Sequence, residues 1–174
     1  MAVAGWRIEG ELPDLPRFVI CVAPHTSNWD FVIGYAAKMA VGLRASWLGK
    51  HTLFRGVMGP LLRRMGGIPV DRRAPIGVVE QVVEWFRGSR QLVLGVAPEG
   101  TRKKVTRWKS GFYRIARQAG VPIVPIALDW GVKTIRVGTP FDTTGDETTD
   151  FETIHAFFRK VRGKRPELGF PTPA

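Results

Sequence analysis

A chain of 174 residues, 44% of them apolar, is long enough for one domain with a sizeable core. Its one cysteine, Cys21, excludes an intramolecular disulfide, and its three histidines, His25, His51 and His155, belong to no Cys/His grouping with metal-ligand spacing. The formal net charge of +11 calls for an anionic partner: nucleic acid, an acidic lipid surface or phosphorylated small molecules.

Residues 1–17 read as an arm or edge strand broken by Pro13 and Pro16, with no signal-peptide core. Phe18 to Pro24 is a short apolar run ending at proline, hence a buried strand, and Trp29 to Met39 reads as a helix. Arg44 to Lys50 suggests a second strand. Pro60 suits the first turn of a short helix ended by Gly66 and Gly67. There Val57, Met58, Leu61, Leu62 and Met65 recur at helical spacing beside Arg63 and Arg64. That pattern fits either a core helix or a basic amphipathic segment on a membrane surface.

Ile68 to Val70 is a brief strand, followed by the loop Asp71 to Pro75. Val78, Val79, Val82, Val83 and Phe86 form one face of a helix that Gly88 stops. Gln91 to Ala97 is a buried strand, and residues 98–109 are a loop rich in Arg and Lys. Phe112, Ile115, Ala116 and Ala119 mark a helix ended by Gly120. Strands follow at Val121–Leu128 and Lys133–Val137, and Pro122 and Pro125 place the former at an edge or make it leave the sheet irregularly. An acidic loop, Asp142 to Asp150, precedes a last helix with Phe151, Ile154, Phe158 and Val161 on one face. The tail from Gly163 to Ala174 is expected to be loosely held. Strands alternating with helices predict a single-domain α/β sandwich over residues 1–174, with a largely parallel sheet. No run reaches the ~18 apolar residues of a membrane span. The longest, Phe31 to Leu43, carries Lys38.

Three strand-end turns carry chemistry, where open α/β sheets bind ligands. In His25-Thr-Ser-Asn-Trp-Asp30 the five-residue step lets Asp30, in the first helical turn, fold back toward the imidazole of His25. A carboxylate there fixes the ring tautomer and leaves the other nitrogen as a base. Ser27 to Asp30 fits a capping box equally well, with His25 as an ordinary turn histidine. In Pro98-Glu-Gly-Thr-Arg102, Glu99 supplies a carboxylate, Gly100 lets a ligand approach the backbone, and Arg102 can grip phosphate bidentately. Lys103, Lys104, Arg107 and Lys109 extend that loop, and Ser110-Gly111 opens a helix with free N–H groups. Asp71-Arg72 follows Val70 in the third turn.

These stretches resemble the four blocks, in order, of the glycerolipid acyltransferase family, typified by the 1-acylglycerol-3-phosphate acyltransferases. His25 to Asp30 matches the histidine–four residues–aspartate block, and Pro98 to Arg102 the third block. Gly67-Ile-Pro-Val-Asp-Arg72 is similar to the second block, with Pro69 where a bulky apolar residue is usual, and Val121 to Pro125 is similar to the fourth. The resemblance implies that His25 takes the proton from an acceptor hydroxyl and that Asp30 orients it. The hydroxyl then attacks an acyl thioester of coenzyme A or acyl carrier protein without an acyl-enzyme. It assigns Arg72, Glu99, Gly100, Thr101, Arg102 and Lys109 to the acceptor, a lysophospholipid-like molecule or another hydroxyl compound. No metal or permanently bound cofactor is implied; the acyl thioester is a co-substrate.

Two other readings compete. The same machinery would serve a non-phosphate alcohol or an amine. A non-catalytic lipid- or nucleic-acid-binding module would explain the charge. Against nucleic acid, the basic residues cluster at strand-end loops and no nucleic-acid fingerprint is present. The expected setting is cytoplasmic, peripheral on the anionic inner face of a membrane.

Overall fold

A computed structural model describes residues 2–3, 5–71 and 77–169. Among the described residues eight strands form one sheet: β1 (Ala2–Val3), β2 (Trp6–Glu9), β3 (Arg17–Ala23), β4 (Ala45–Lys50), β5 (Gly67–Val70), β6 (Leu92–Val96), β7 (Ile123–Asp129) and β8 (Thr134–Val137). Their order is β1-β2-β8-β7-β3-β6-β4-β5. Only the β1–β2 and β7–β8 pairs are antiparallel, so the sheet is largely parallel, as the alternation of strands and helices predicts.

β3 lies at the centre because both of its faces are apolar. It pairs with β6 on one side (Cys21 opposite Val96) and β7 on the other (Cys21 opposite Pro125). Side chains alternate along a strand. Val19, Cys21 and Ala23 therefore face a layer of three helices, α3 (Val78–Gly88), α4 (Gly111–Ala119) and α5 (Glu147–Phe158). Val82, Phe86, Phe112 and Ile154 fill that layer and are almost fully buried, each side chain contributing about 1.5–3 kcal/mol. Gly120, with φ of 63°, ends α4 in the left-handed region that glycine adopts without strain. Burial pushes the Cys21 thiol up, so it behaves as an inert core residue.

The opposite face, carrying Phe18, Ile20 and Val22, is covered over the middle of the sheet by α1 (Asn28–Ala40), while Phe54 packs on Trp47 over β4. Only Asp30 and Ala37 of this helix are buried. Gly34 and Ala37 present little volume toward the sheet, and a cavity of about 490 Å³ remains between helix and strands. Outward, Trp29, Val32 and Met39 lie exposed.

Two expectations change, those for β7 and for the tail. β7 is an interior strand, although it contains Pro125. The Pro125 carbonyl accepts from Gly138 N at 2.8 Å, on the side where β8 has already ended at Val137. The missing N–H thus costs no rung of the β3 ladder. The N-terminal arm takes the edge-strand alternative: it supplies β1 at the sheet edge and β2 beside it, parallel to β8 and anchored by buried Trp6. The tail divides. Gly163 is buried against Thr26 and Pro24, while residues 170–174 lie outside the described residues. As for α2 (Met58–Arg64), Val57, Met58 and Leu61 face outward and only Leu62 and Met65 are partly buried, which excludes a helix that closes the core.

Candidate active site

Parallel pairing brings the turns after β3, β4, β5 and β6 to one edge of the sheet. Because β3 and β6 are neighbours, the His25 turn and the Glu99 loop meet there. The His25 backbone N–H donates to Glu99 Oε1 at 2.9 Å.

Asp30 makes both sets of contacts that the sequence left open. Ser27 caps α1, accepting from Trp29 N at 3.2 Å, and Asp30 Oδ2 accepts from the backbone N–H groups of Thr26 (2.7 Å) and Ser27 (2.6 Å). The same oxygen stands 3.4 Å from His25 Nδ1, long for a hydrogen bond but within ion-pair range. Asp30 Oδ1 accepts from Trp130 Nε1 at 2.8 Å. Burial would raise the Asp30 carboxyl, but the adjacent His25 and the hydrogen bonds from Ser27 and Trp130 outweigh it and hold the group below the ordinary carboxylate range. Asp30 is therefore ionised at neutral pH, as a helix N-terminus favours. The carboxylate is fully buried, whereas the His25 ring is partly open, and both line the cavity under α1. The capping box thus holds the carboxylate at the imidazole.

Glu99 is 2% exposed, and its Oε2 finds no hydrogen-bond partner among the described residues. Burial pushes its carboxyl up, against the opposing effect of the His25 N–H bond. It sits beneath the histidine turn as a backbone anchor. Gly100 turns with φ of 63°, and a Cβ there would meet the Lys109 side chain at 3.1 Å. Lys109 N closes the loop onto Pro98 O at 2.8 Å. Thr101 Oγ1 accepts from Lys103 N, Arg102 is exposed, and buried Trp108 roots the loop against Phe158. Arg72 lies outside the described residues. Next to it, Asp71 Oδ1 stands 3.6 Å from His51 Nδ1, a second histidine–carboxylate contact on the same edge.

The cavity is lined by Ile20, Val22, Ile126 and Leu128 from the sheet and by Phe31 and Gly34 from α1, among others. It extends from His25 and Asp30 at the start of α1 to Val41 and Leu43 beyond its end. An apolar slot opening beside an imidazole–carboxylate pair suits a long aliphatic chain whose reactive end meets the histidine. Among the described residues, no group of three or more His, Cys, Asp and Glu comes together that could hold a metal ion.

Trp130 and the segment around Gly163 also reach this site without any mark in the sequence. Trp130 lies a hundred positions from Asp30, and no local pattern in the sequence connects them.

Fold and site together describe an α/β transferase-like domain, and comparison with known proteins makes the class definite. The acyltransferase family model matches residues 10–129, and the chain belongs to that family. It is 30% identical over 116 residues to the 1-acyl-sn-glycerol-3-phosphate acyltransferase of Escherichia coli (strain K12), covering 63% of this chain and 46% of that protein. It is 31% identical over 130 residues to the protein of the same name from Limnanthes douglasii, covering 68% and 45%. The chain thus spans about half the length of the curated relatives it matches. The crystal structure of the 1-acyl-sn-glycerophosphate acyltransferase PlsC from Thermotoga maritima shares the fold, with a TM-score of 0.66 and 20% identity over 87% of this chain and 68% of that one.

Proposed function

We propose that the chain transfers an acyl group from a thioester of coenzyme A or acyl carrier protein to the hydroxyl of a lysophospholipid-like acceptor such as 1-acylglycerol-3-phosphate. The observation that carries this reading is the His25–Asp30 pair at the end of an apolar cavity. His25 takes the hydroxyl proton through the ring nitrogen that does not face Asp30. The acceptor oxygen attacks the thioester carbonyl, the C–S bond breaks, and the proton passes from the imidazolium to the departing thiolate. Asp30 holds the ring and stabilises the imidazolium between these steps. No side chain is acylated. Arg72, Arg102 and Lys109 are assigned to the anionic part of the acceptor, with Gly100 and Thr101 shaping that loop and Glu99 holding it to the histidine turn. The relatives' names support the acceptor class.

The proposed setting is the surface of an anionic bilayer at the cytoplasmic face. No helix among the described residues is long and apolar enough to cross a membrane. Instead, Leu53, Val57, Met58 and Leu61 stand exposed around the start of α2, with Arg55, Arg63 and Arg64 beside them. Each cation near such a surface contributes roughly 1 kcal/mol, so a few suffice for reversible docking. Charge complementarity favours the bilayer over a neutral partner for this patch.

The direct test is thiol release from an acyl thioester that depends on added acceptor, in the wild type and in His25→Ala. Loss of the base is expected to lower the rate by about 10² to 10⁴ in a folded protein. A folded His25→Ala protein that still transfers acyl groups at the wild-type rate would end this mechanism.

A further inference from the structure

The Asp30 carboxylate is gripped at both oxygens, and both grips lead to the same distant segment. Oδ2 is held by the Thr26 and Ser27 N–H groups, Oδ1 by the Trp130 indole N–H. Trp130 N in turn donates to Arg162 O at 2.8 Å, and Arg165 N donates to Thr26 Oγ1 at 3.2 Å. Between these two bonds Gly163 lies buried against Thr26. A Cβ there would meet Thr26 Cγ2 and Oγ1 at 2.9 Å and Pro24 Cγ at 3.2 Å, so the close approach requires glycine. Lys164 completes the arrangement, its Nζ 4.6 Å from the ring centroids of both Trp29 and Trp130. The inner side of Trp130 packs edge-on against Trp6, with centroids 4.8 Å apart. The indole is thus fixed from three directions.

We propose that Trp130 and the strap Arg162–Arg165 form a positioning clamp that sets the orientation of Asp30, and through it that of His25; this rests on reading His25 and Asp30 as the catalytic pair. The torsion that turns an aspartate carboxyl group is a broad one. Backbone donors to one oxygen alone leave the plane free to tilt, and a third donor on the other oxygen fixes it. Precision of this kind matters because a displacement of about 1 Å near the reacting atoms can cost about 10²-fold in rate. Neither Trp130 nor the strap touches the reacting atoms through this network, so their effect passes through Asp30.

The test replaces Trp130 by Phe and, separately, by β-(3-benzothienyl)alanine, which keeps the bicyclic shape and removes only the N–H donor. The expected result is a fall in kcat of about 10- to 100-fold with both KM values within about twofold of wild type. With less hydrogen bonding to Oδ1, more of the Asp30 charge is directed at the imidazolium. The acid limb of the pH–rate profile is therefore expected to move to higher pH. The other charged groups nearby are Glu99 under the turn, Asp129 at the end of β7, and Arg162, Lys164 and Arg165 on the strap; all are retained in these variants. Wild-type kcat in the benzothienyl variant would overturn the clamp. So would a fall in kcat with an unmoved pH profile, which would leave Trp130 a merely structural role. A readout independent of turnover separates failure of the clamp from failure of the catalytic assignment. The Trp130 indole N–H is expected to exchange slowly in the wild type and fast in Gly163→Ala. Fast exchange in the wild type would remove the clamp whatever the enzyme does, whereas transfer surviving His25→Ala would remove the catalytic reading alone.

Discussion

Gly34 is the position where the cavity under α1 can be closed most directly. It sits one turn after Asp30, about 6 Å along the helix axis at 1.5 Å per residue. It lines the cavity, and a Cβ built on it meets nothing within 4 Å. Gly34→Ala is therefore expected to stabilise the fold by about 1 kcal/mol through helix propensity, raising Tm by about 2–4 °C. Gly34→Leu keeps part of that gain and fills the slot with four carbons. If an acyl chain lies there, about three of its methylenes lose their place. At about 0.8 kcal/mol each, that is about 2.4 kcal/mol, or about 50-fold in kcat/KM for a long-chain donor. An acetyl thioester, which does not reach Gly34, should be used as before. The assay is thiol release with acetyl and palmitoyl donors, alongside a thermal melt of each variant. Unchanged palmitoyl kinetics in a folded Gly34→Leu protein would show that the acyl chain does not lie beneath α1. An equal loss with both donors would mean that the substitution acts on the histidine–aspartate geometry instead.

Alanine at Arg72 or Arg102 is expected to raise the acceptor KM more than it lowers kcat, the mark of lost uniform binding; an unchanged KM in both variants would favour an acceptor without phosphate. Val57→Asp combined with Leu61→Asp, both at exposed positions, should abolish binding to anionic vesicles while the far-UV spectrum stays that of the wild type. Wild-type binding that is equal on neutral vesicles, or indifferent to salt, would refute the bilayer assignment. Burial raises the Glu99 carboxyl, so its ionised form costs stability at neutral pH, and that cost fades as the pH falls through the raised folded value toward the ordinary range near about pH 4. Glu99→Gln should therefore raise Tm at neutral pH and lose the advantage on acidification; a pH-independent difference would contradict this.

Structure that is decided locally is legible in the sequence. Phe18 to Ala23 is apolar at every position because β3 is covered on both faces, and Gly120 ends α4 because glycine takes the left-handed turn without strain. The pairing of His25 with Asp30 was legible because both lie within one turn, where spacing alone limits geometry. The site's remaining parts depend on contacts between distant segments. Pro125 suggested an edge, yet its imide nitrogen faces the end of a shorter neighbour, a fact of strand length in another part of the chain. Trp130 and Gly163 come to Thr26 and Asp30 only after the sheet has placed β7 beside β3 and α5 has returned the chain across it. Gly163 looked like tail composition because a buried close approach and a flexible linker both call for glycine.

Unequal covering of the two sheet faces ties the fold to its chemistry. Three helices seal one face with large side chains such as Phe86, Phe112 and Phe158, and that layer holds the main core. On the other face α1, with Gly34 and Ala37 toward the strands, leaves about 490 Å³ unfilled, where larger side chains would have contributed stability. An unfilled apolar space is a standing cost to the fold, and its position beneath the helix that carries Asp30 ties that cost to the site. The same helix holds its carboxylate in a capping box, so one set of hydrogen bonds both stabilises the helix N-terminus and aims the charge at His25. Asp30→Asn should accordingly show two separable losses: a loss of stability from the weakened capping box, about 0.5–2 kcal/mol and read as a lower Tm, and a drop in turnover from the misdirected imidazole. A variant that lost stability but kept full turnover would leave Asp30 as a cap alone.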